Sequence, residues 1–169
     1  MPYTLNQLAD EIRETLKADA GPVGRAKVSS IVSRALTDEA FIAAQLQERA
    51  PGANPRQVLY EDPELGFCIC GHVYDGPAHG SPHDHGSSWA IYGQATGVTE
   101  MTDWRIVEQG KGEAATLVEP VRSYRMHPGD AHLYDVGAVH SPKRDAAVKL
   151  IRIEGRNLDH VKRSNIKAC

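Results

Sequence analysis

His83 and His85 flank a single aspartate, and two residues apart on an extended chain is the spacing that turns both imidazoles to one face. A neutral imidazole is a ligand for iron, zinc, copper and nickel, so the pair reads as two ligands of a metal held inside a small β-barrel. With 8 histidines in 169 residues, chance supplies about 0.4 such His-x-His pairs, and the plain alternative is an exposed turn with coincidental histidines. The pair has to be judged by what joins it. Residues 76–82, rich in Gly and Pro, let a strand begin beside it, and a third ligand must come from elsewhere. Residues 129–140 offer two, His132 and His140.

Other chemistry-bearing residues have a plainer reading beside the functional one. Cys68, Cys70, His72 and Tyr74 share one face of a strand, which suggests a second metal cluster. The expectation is instead a half-buried strand whose free cysteines pack as small apolar side chains. Tyr92 and Trp89 line a pocket or pack near a barrel mouth, and Tyr92 is a candidate catalytic residue. Glu100 offers a carboxylate, although most strand glutamates face water. His79 sits in the Gly/Pro loop and is left out of the ligand set.

The elements that must position these groups fall in two blocks. Leu5, Leu8, Ile12 and Leu16 recur at helical spacing after Thr4, a fitting N-cap, and this helix ends before Gly21-Pro22. Val28, Ile31, Val32, Ala35 and Leu36 predict a second helix, and Thr37-Asp38-Glu39 caps a third through Phe41, Ile42 and Leu46. Pro51-Gly52 stops it. From about residue 58 short β-rich segments alternate with turn signals such as Asp75-Gly76-Pro77 and His127-Pro128-Gly129-Asp130. The expectation is one domain over 1–169, mainly β, with helices in 1–51 packed on a barrel in 58–158.

Composition narrows the function classes. A formal charge of −3 argues against broad phosphate binding, and so against nucleic acid. Three cysteines leave an odd thiol and suit a reducing compartment. No basic stretch leads into an apolar run at the start, and no apolar run approaches the roughly 20 residues of a membrane span. A cytoplasmic protein, with no membrane partner and a homodimer as default assembly, is expected.

The histidine segments resemble the two motifs of the cupin superfamily, G-x5-H-x-H-x(3,4)-E-x6-G and G-x5-P-x-G-x2-H-x3-N. In the second, Gly129, Gly137 and His140 fall on the glycines and the histidine, while Asp135 holds the proline position and Arg144 the asparagine position. In the first, His83 and His85 take the histidine positions, Gly76 sits one residue early and Trp89 replaces the glutamate. The resemblance spans roughly residues 66–155 and implies a cupin double-stranded β-helix, or jelly-roll barrel, behind a layer of about three helices. It implies His140 as third ligand beside His83 and His85.

A three-histidine centre without the glutamate is similar to that of the thiol dioxygenases acting on cysteine and 3-mercaptopropionate. His79-Gly80-Ser81-Pro82-His83-Asp84-His85 resembles the H-G-S-S-x-H-D-H run of the first, and Trp89-Ala90-Ile91-Tyr92-Gly93 the W-G-x-x-G run of the second. The departures are Leu150, Arg152 and Glu154 where that group has its Ser-x-His-x-Tyr strand, and Ala90 nearest the position of its cross-linked cysteine. The implied function is a non-heme Fe(II) dioxygenase oxidising a small thiol or related carboxylic acid with O2. Zinc, nickel or manganese suits the same ligands. Arg152, Arg105 and Arg122 are the candidates to grip a substrate carboxylate, Arg152 foremost. Two other classes fit the residues: a metal-dependent isomerase, lyase or hydrolase using Tyr134 or Glu100, and a non-catalytic cupin whose His132 closes a zinc site.

Overall fold

The structure, a computed structural model, describes residues 1–169. Helices α1 (Leu5–Ala18), α2 (Pro22–Ala35) and α3 (Glu39–Gln45) lead. The strands follow as β1 (Arg56–Glu61), β2 (Cys68–Tyr74), β3 (Ala78–His79), β4 (Ala90–Thr96) and β5 (Thr99–Glu108). Then come β6 (Thr116–Met126), β7 (Ala131–Tyr134), β8 (Val139–Arg144), β9 (Val148–Glu154) and β10 (Ile166–Ala168). The molecule is mainly β, as the periodicity predicts.

Local chemistry sets the helix ends. Thr4 Oγ1 accepts the Gln7 N–H at 3.1 Å and Gln7 Oε1 accepts the Thr4 N–H at 2.8 Å, which closes a capping box on α1. The second helix starts ahead of Val28, at Pro22, because the first turn needs no proline N–H. Asp38 Oδ1 accepts from Ala40 and Phe41 at 2.9 and 3.0 Å and begins α3. The apolar faces of the helices then meet one sheet: Leu8, Ile12, Val28, Val32 and Phe41 share a cluster with Ile69, Ile91, Ile151 and Ile153. Contact is close over Gly93, where a Cβ would lie 2.6 Å from Val32 Cγ1.

The strands form two five-stranded sheets, β1-β2-β9-β4-β7 and β10-β6-β5-β8-β3. Their pairing has a simple logic: β2 pairs with β9, β3 with β8, β4 with β7 and β5 with β6, all antiparallel. One long hairpin, its tip at residues 109–115, is coiled so that each arm passes from sheet to sheet. That is the double-stranded β-helix, or jelly roll. β10 lies past residue 158, where the spacing predicts no strand, and pairs parallel with β6.

Because helices cover the outside of the first sheet, its middle strands are buried on both faces. β2 is therefore buried at six of its seven residues rather than on one face only. Alternation then sends Ile151 and Ile153 toward the helices, while Leu150 and Arg152 line the lumen. The apolar cluster inside the barrel is small, formed by Ala90, Tyr92, Met101, Met126 and Tyr134. Polar side chains fill the rest, and a polar lumen is where a site is to be sought. No helix is long and apolar enough to cross a membrane.

Candidate metal centre

His83 and His85 stand in the loop between β3 and β4, and His140 stands on β8. An isolated bridge joins loop to strand: the N–H of His83 donates to the His140 carbonyl, and the N–H of His140 to the His83 carbonyl, each at 3.0 Å. Backbone pairing thus brings together ligands that lie far apart in the chain. One ring nitrogen of each histidine lies within 4.8 Å of the others, and these three could hold a metal ion. His85 and His140 are fully buried and His83 partly so.

Asp84, between the two histidines, turns away from the centre. Its carboxylate accepts Ser164 Oγ–H at 2.7 Å and the N–H groups of Gly86 and Ser164 at 3.1 and 3.3 Å. The C-terminal segment thereby clamps the loop. Gly86 is required there, since its φ is +59° and a Cβ would meet the Lys162 carbonyl oxygen at 2.4 Å. On the other side the Tyr134 ring lies 4.1 Å from that of His140, and its hydroxyl pairs with Tyr124 Oη at 2.6 Å.

The protonation states suit a cation. Burial above all pushes His83 and His140 below the usual imidazole value and takes His85 down to about 2, with Arg152 and His83 adding repulsion at His85. All three are neutral near neutral pH. A carbonyl can only accept, so the 2.8 Å contact of His83 Nδ1 with Ser81 O places the proton on Nδ1 and leaves Nε2 bare. The Nε2 atoms of His85 and His140 meet only Tyr92 Oη, at 3.2 and 3.3 Å, and their Nδ1 atoms are buried without a partner. With the proton of each ring on Nδ1 the three Nε2 lone pairs face a common point, which a bound cation would occupy.

Tyr92 is itself held firmly. Arg152 Nη1 donates to its oxygen at 3.2 Å, while Arg152 Nε and Nη2 bind Glu154 at 2.8 and 2.7 Å. Glu154 is fully buried and also accepts from Arg56 Nη2 at 2.7 Å. Hydrogen bonds from Arg56 and attraction to Arg152 outweigh the burial that alone would raise its carboxyl, and hold it below the usual range. Arg152 thus lines the lumen as β9 predicts, but its guanidinium is already committed.

A cavity of about 410 Å³ opens beside the centre, lined by His83, Tyr92, His72, Leu150, Arg144 and Arg152 among others. Arg144 was not among the arginines singled out by sequence. It is 4 % exposed, makes no ion pair with a carboxylate and lies with its guanidinium carbon 4.6 Å from the Tyr74 ring centre. Its Nε has no partner, and burial pulls its pKa down. The signal was its place in the motif: Arg144 occupies the asparagine position of the second cupin pattern.

The remaining candidates lie elsewhere. Arg105 pairs with Glu119 and Arg122 with Asp103, both arginines 70 % exposed on the outside of the second sheet. Trp89 packs on Gly155 and the apolar cluster beneath the helices, not in the cavity. The His132 ring rests 5.2 Å from that of Tyr124, Glu100 stands on β5 opposite Arg125 and Lys143, and neither joins the histidine group. Cys68, Cys70 and His72 form no such group either. His79 is exposed at the cavity rim, 3.3 Å from Asp145.

The buried imidazoles make stability depend on pH. His72, His83, His85 and His140 protonate in the folded protein only below the 6.5 of a free imidazole, burial being the main cause in each. The unfolded chain therefore binds more protons below pH 6.5. Stability is complete above that value and is lost as pH falls through the folded values, each group taking up to about 1.4 kcal/mol per pH unit. Metal-free protein is expected to melt several degrees lower near pH 5 than at about pH 7.5. Equal melting temperatures in a thermal scan would contradict buried neutral imidazoles.

The class that strand order and site define is a double-stranded β-helix protein with three histidines gathered in its lumen. No family model matches the chain, and no curated protein does. Among solved structures, the Schizosaccharomyces pombe Cnp3 cupin domain is 14 % identical over 60 % of this chain, with a TM-score of 0.46; this chain covers 64 % of that one. A conserved protein with a double-stranded β-helix domain from Klebsiella pneumoniae is 13 % identical over 75 % of this chain and 89 % of its own, with a TM-score of 0.49. KdgF from Halomonas sp. is 18 % identical over 63 % of this chain and 82 % of its own, with a TM-score of 0.45. The first two are described as a cupin domain and a double-stranded β-helix domain, and the fold itself rests on the strand pairing above.

Proposed function

We propose that the protein is a metal-dependent dioxygenase of the cupin fold, using non-heme Fe(II) and O2 to oxidise a small thiol that carries a carboxylate. The observation that carries this reading is one cavity with His83 of the three-histidine group on one wall and an unpaired buried guanidinium, Arg144, on another. When bound, ferrous iron supplies an open coordination face where a thiol loses its proton and O2 is activated. The reaction balances without a co-reactant, since R–SH and O2 together give R–SO2H.

The chain's own residues supply the rest. His83 is the one histidine of the three that lines the cavity, so substrate enters on its side. Arg144 takes the substrate carboxylate through paired N–H donors, with the Tyr74 ring behind it keeping the guanidinium plane in place. This role passes from Arg152, the leading sequence candidate, because Glu154 already occupies the Arg152 donors. Arg152 instead positions Tyr92 beside the histidines. Leu150 gives the cavity an apolar wall for a short carbon chain.

Oxygen uptake by iron-loaded protein with cysteine, 3-mercaptopropionate and cysteamine tests this. The expected result is uptake with the two carboxylated thiols and little with cysteamine, which has nothing for Arg144 to hold. No uptake with any of the three sinks the thiol reading.

A further inference from the structure

We propose that Tyr92 Oη is a fourth protein ligand, which makes the centre three imidazoles and one phenolate. The proposal rests on the reading that His83, His85 and His140 bind a metal, and adds a ligand that the family pattern of histidines and glutamate does not contain.

The distances are those of ligands around one ion. Groups about 2.0–2.1 Å from one ion lie about 2.9–3.4 Å apart at angles from octahedral to tetrahedral. Tyr92 Oη is 3.2 Å from His85 Nε2 and 3.3 Å from His140 Nε2. Tyr92 Oη also accepts from Arg152 Nη1 at 3.2 Å. With the proton of each ring on Nδ1, both Nε2 lone pairs converge on this oxygen, whose single proton serves only one of them. A cation between them takes both Nε2 lone pairs and the phenolic oxygen at once, and the displaced phenolic proton leaves to solvent.

Charge points the same way. Around the centre lie the buried guanidiniums of Arg144 and Arg152, while of the two buried carboxylates nearby Glu154 is shared between Arg152 and Arg56 and Asp84 turns away to Ser164. Three neutral imidazoles add no negative charge, so a divalent ion would raise an excess that is already positive. A phenolate lowers it. The Arg56–Glu154–Arg152 chain fixes the oxygen in place, so that no side chain has to reorganise for the ligand to form. Tyr92 also lines the cavity, so the phenolate meets the side from which substrate approaches.

The test uses the full chain loaded with Fe(II) without oxygen and then oxidised by one equivalent of ferricyanide. A visible phenolate-to-iron charge-transfer band is expected, with resonance Raman modes of a coordinated phenolate enhanced inside it. The Raman measurement needs no variant. Tyr92→Phe is expected to keep iron on the three histidines without the band, and to bind it at least the roughly 10–100-fold more weakly that even an outer hydrogen-bonding partner accounts for. Iron-loaded wild-type protein with neither band nor phenolate modes overturns the phenolate ligand and leaves the three-histidine reading standing. A wild-type protein that takes up no iron overturns both.

Discussion

His140→Ala is expected to abolish stoichiometric metal binding while the barrel still folds. The ring is one of only three converging imidazoles and the only one carried by the barrel wall opposite the loop, so His83 and His85, even with Tyr92 Oη beside them, leave the ion open on that side. The backbone bridge to His83 runs through main-chain atoms and survives the substitution. Losing a fully buried ring between Tyr134 and Tyr92 opens a cavity and costs about 2–4 kcal/mol in the metal-free protein. Part of this is offset, because the unpartnered Nδ1 goes with the ring. A thermal shift separates folding from binding. A ligand at a thousand times its Kd stabilises by about 4 kcal/mol, which for a chain of this size is roughly 8–16 °C. Wild-type protein is expected to show that rise on adding Fe(II) or Zn(II), and His140→Ala none. His132→Ala, whose ring rests on Tyr124 outside the cluster, keeps the rise. The reverse pattern, metal retained by His140→Ala and lost by His132→Ala, would overturn the ligand set.

The centre was legible in the sequence to the extent that its information is local. His83 and His85 are paired by strand alternation, while His140 was chosen over His132 through the resemblance of Gly129, Gly137 and His140 to the second cupin motif. Helices α1 and α3 were legible for the same reason, since caps and apolar spacing sit within a few residues of each other. What escaped depends on pairing. Arg152, expected to grip a substrate carboxylate, stands two residues from Glu154 on β9, on the same side and with opposite charge, and is engaged by it instead. Arg144 stood out only as a departure from a motif. That it lacks a carboxylate is a property of β3, β8 and β9 together and cannot be read from any one of them. β10 is only three residues, Ile166–Ala168, and exists because β6 offers it an edge. The clamp on Asp84 follows from that edge pairing, since it carries Ser164 to the metal loop.

Arg144→Met is expected to make the protein more stable and less able to use an acidic substrate. Two effects oppose one another at this residue. Stacking on Tyr74 favours the guanidinium by about 0.5–2 kcal/mol. Keeping a charge 4 % exposed with no carboxylate beside it costs several kcal/mol, and Nε is unpartnered as well. The second effect is larger, so an apolar side chain of similar length removes a net penalty. A gain of about 1–3 kcal/mol, or roughly 2–12 °C in melting temperature, is expected from thermal unfolding of the metal-free variant. A ligand that supplies the missing negative charge would offset that penalty. Removing the grip costs the carboxylate at least about 2–3 kcal/mol, so KM for a carboxylated thiol is expected to rise roughly 30–200-fold. The already weak reaction with cysteamine is unchanged, because that thiol never used the contact. Arg144→Lys keeps the charge without the fork and falls between the two. If Arg144→Met instead melts lower than wild type and treats acidic and neutral thiols alike, the guanidinium serves the barrel and not a substrate.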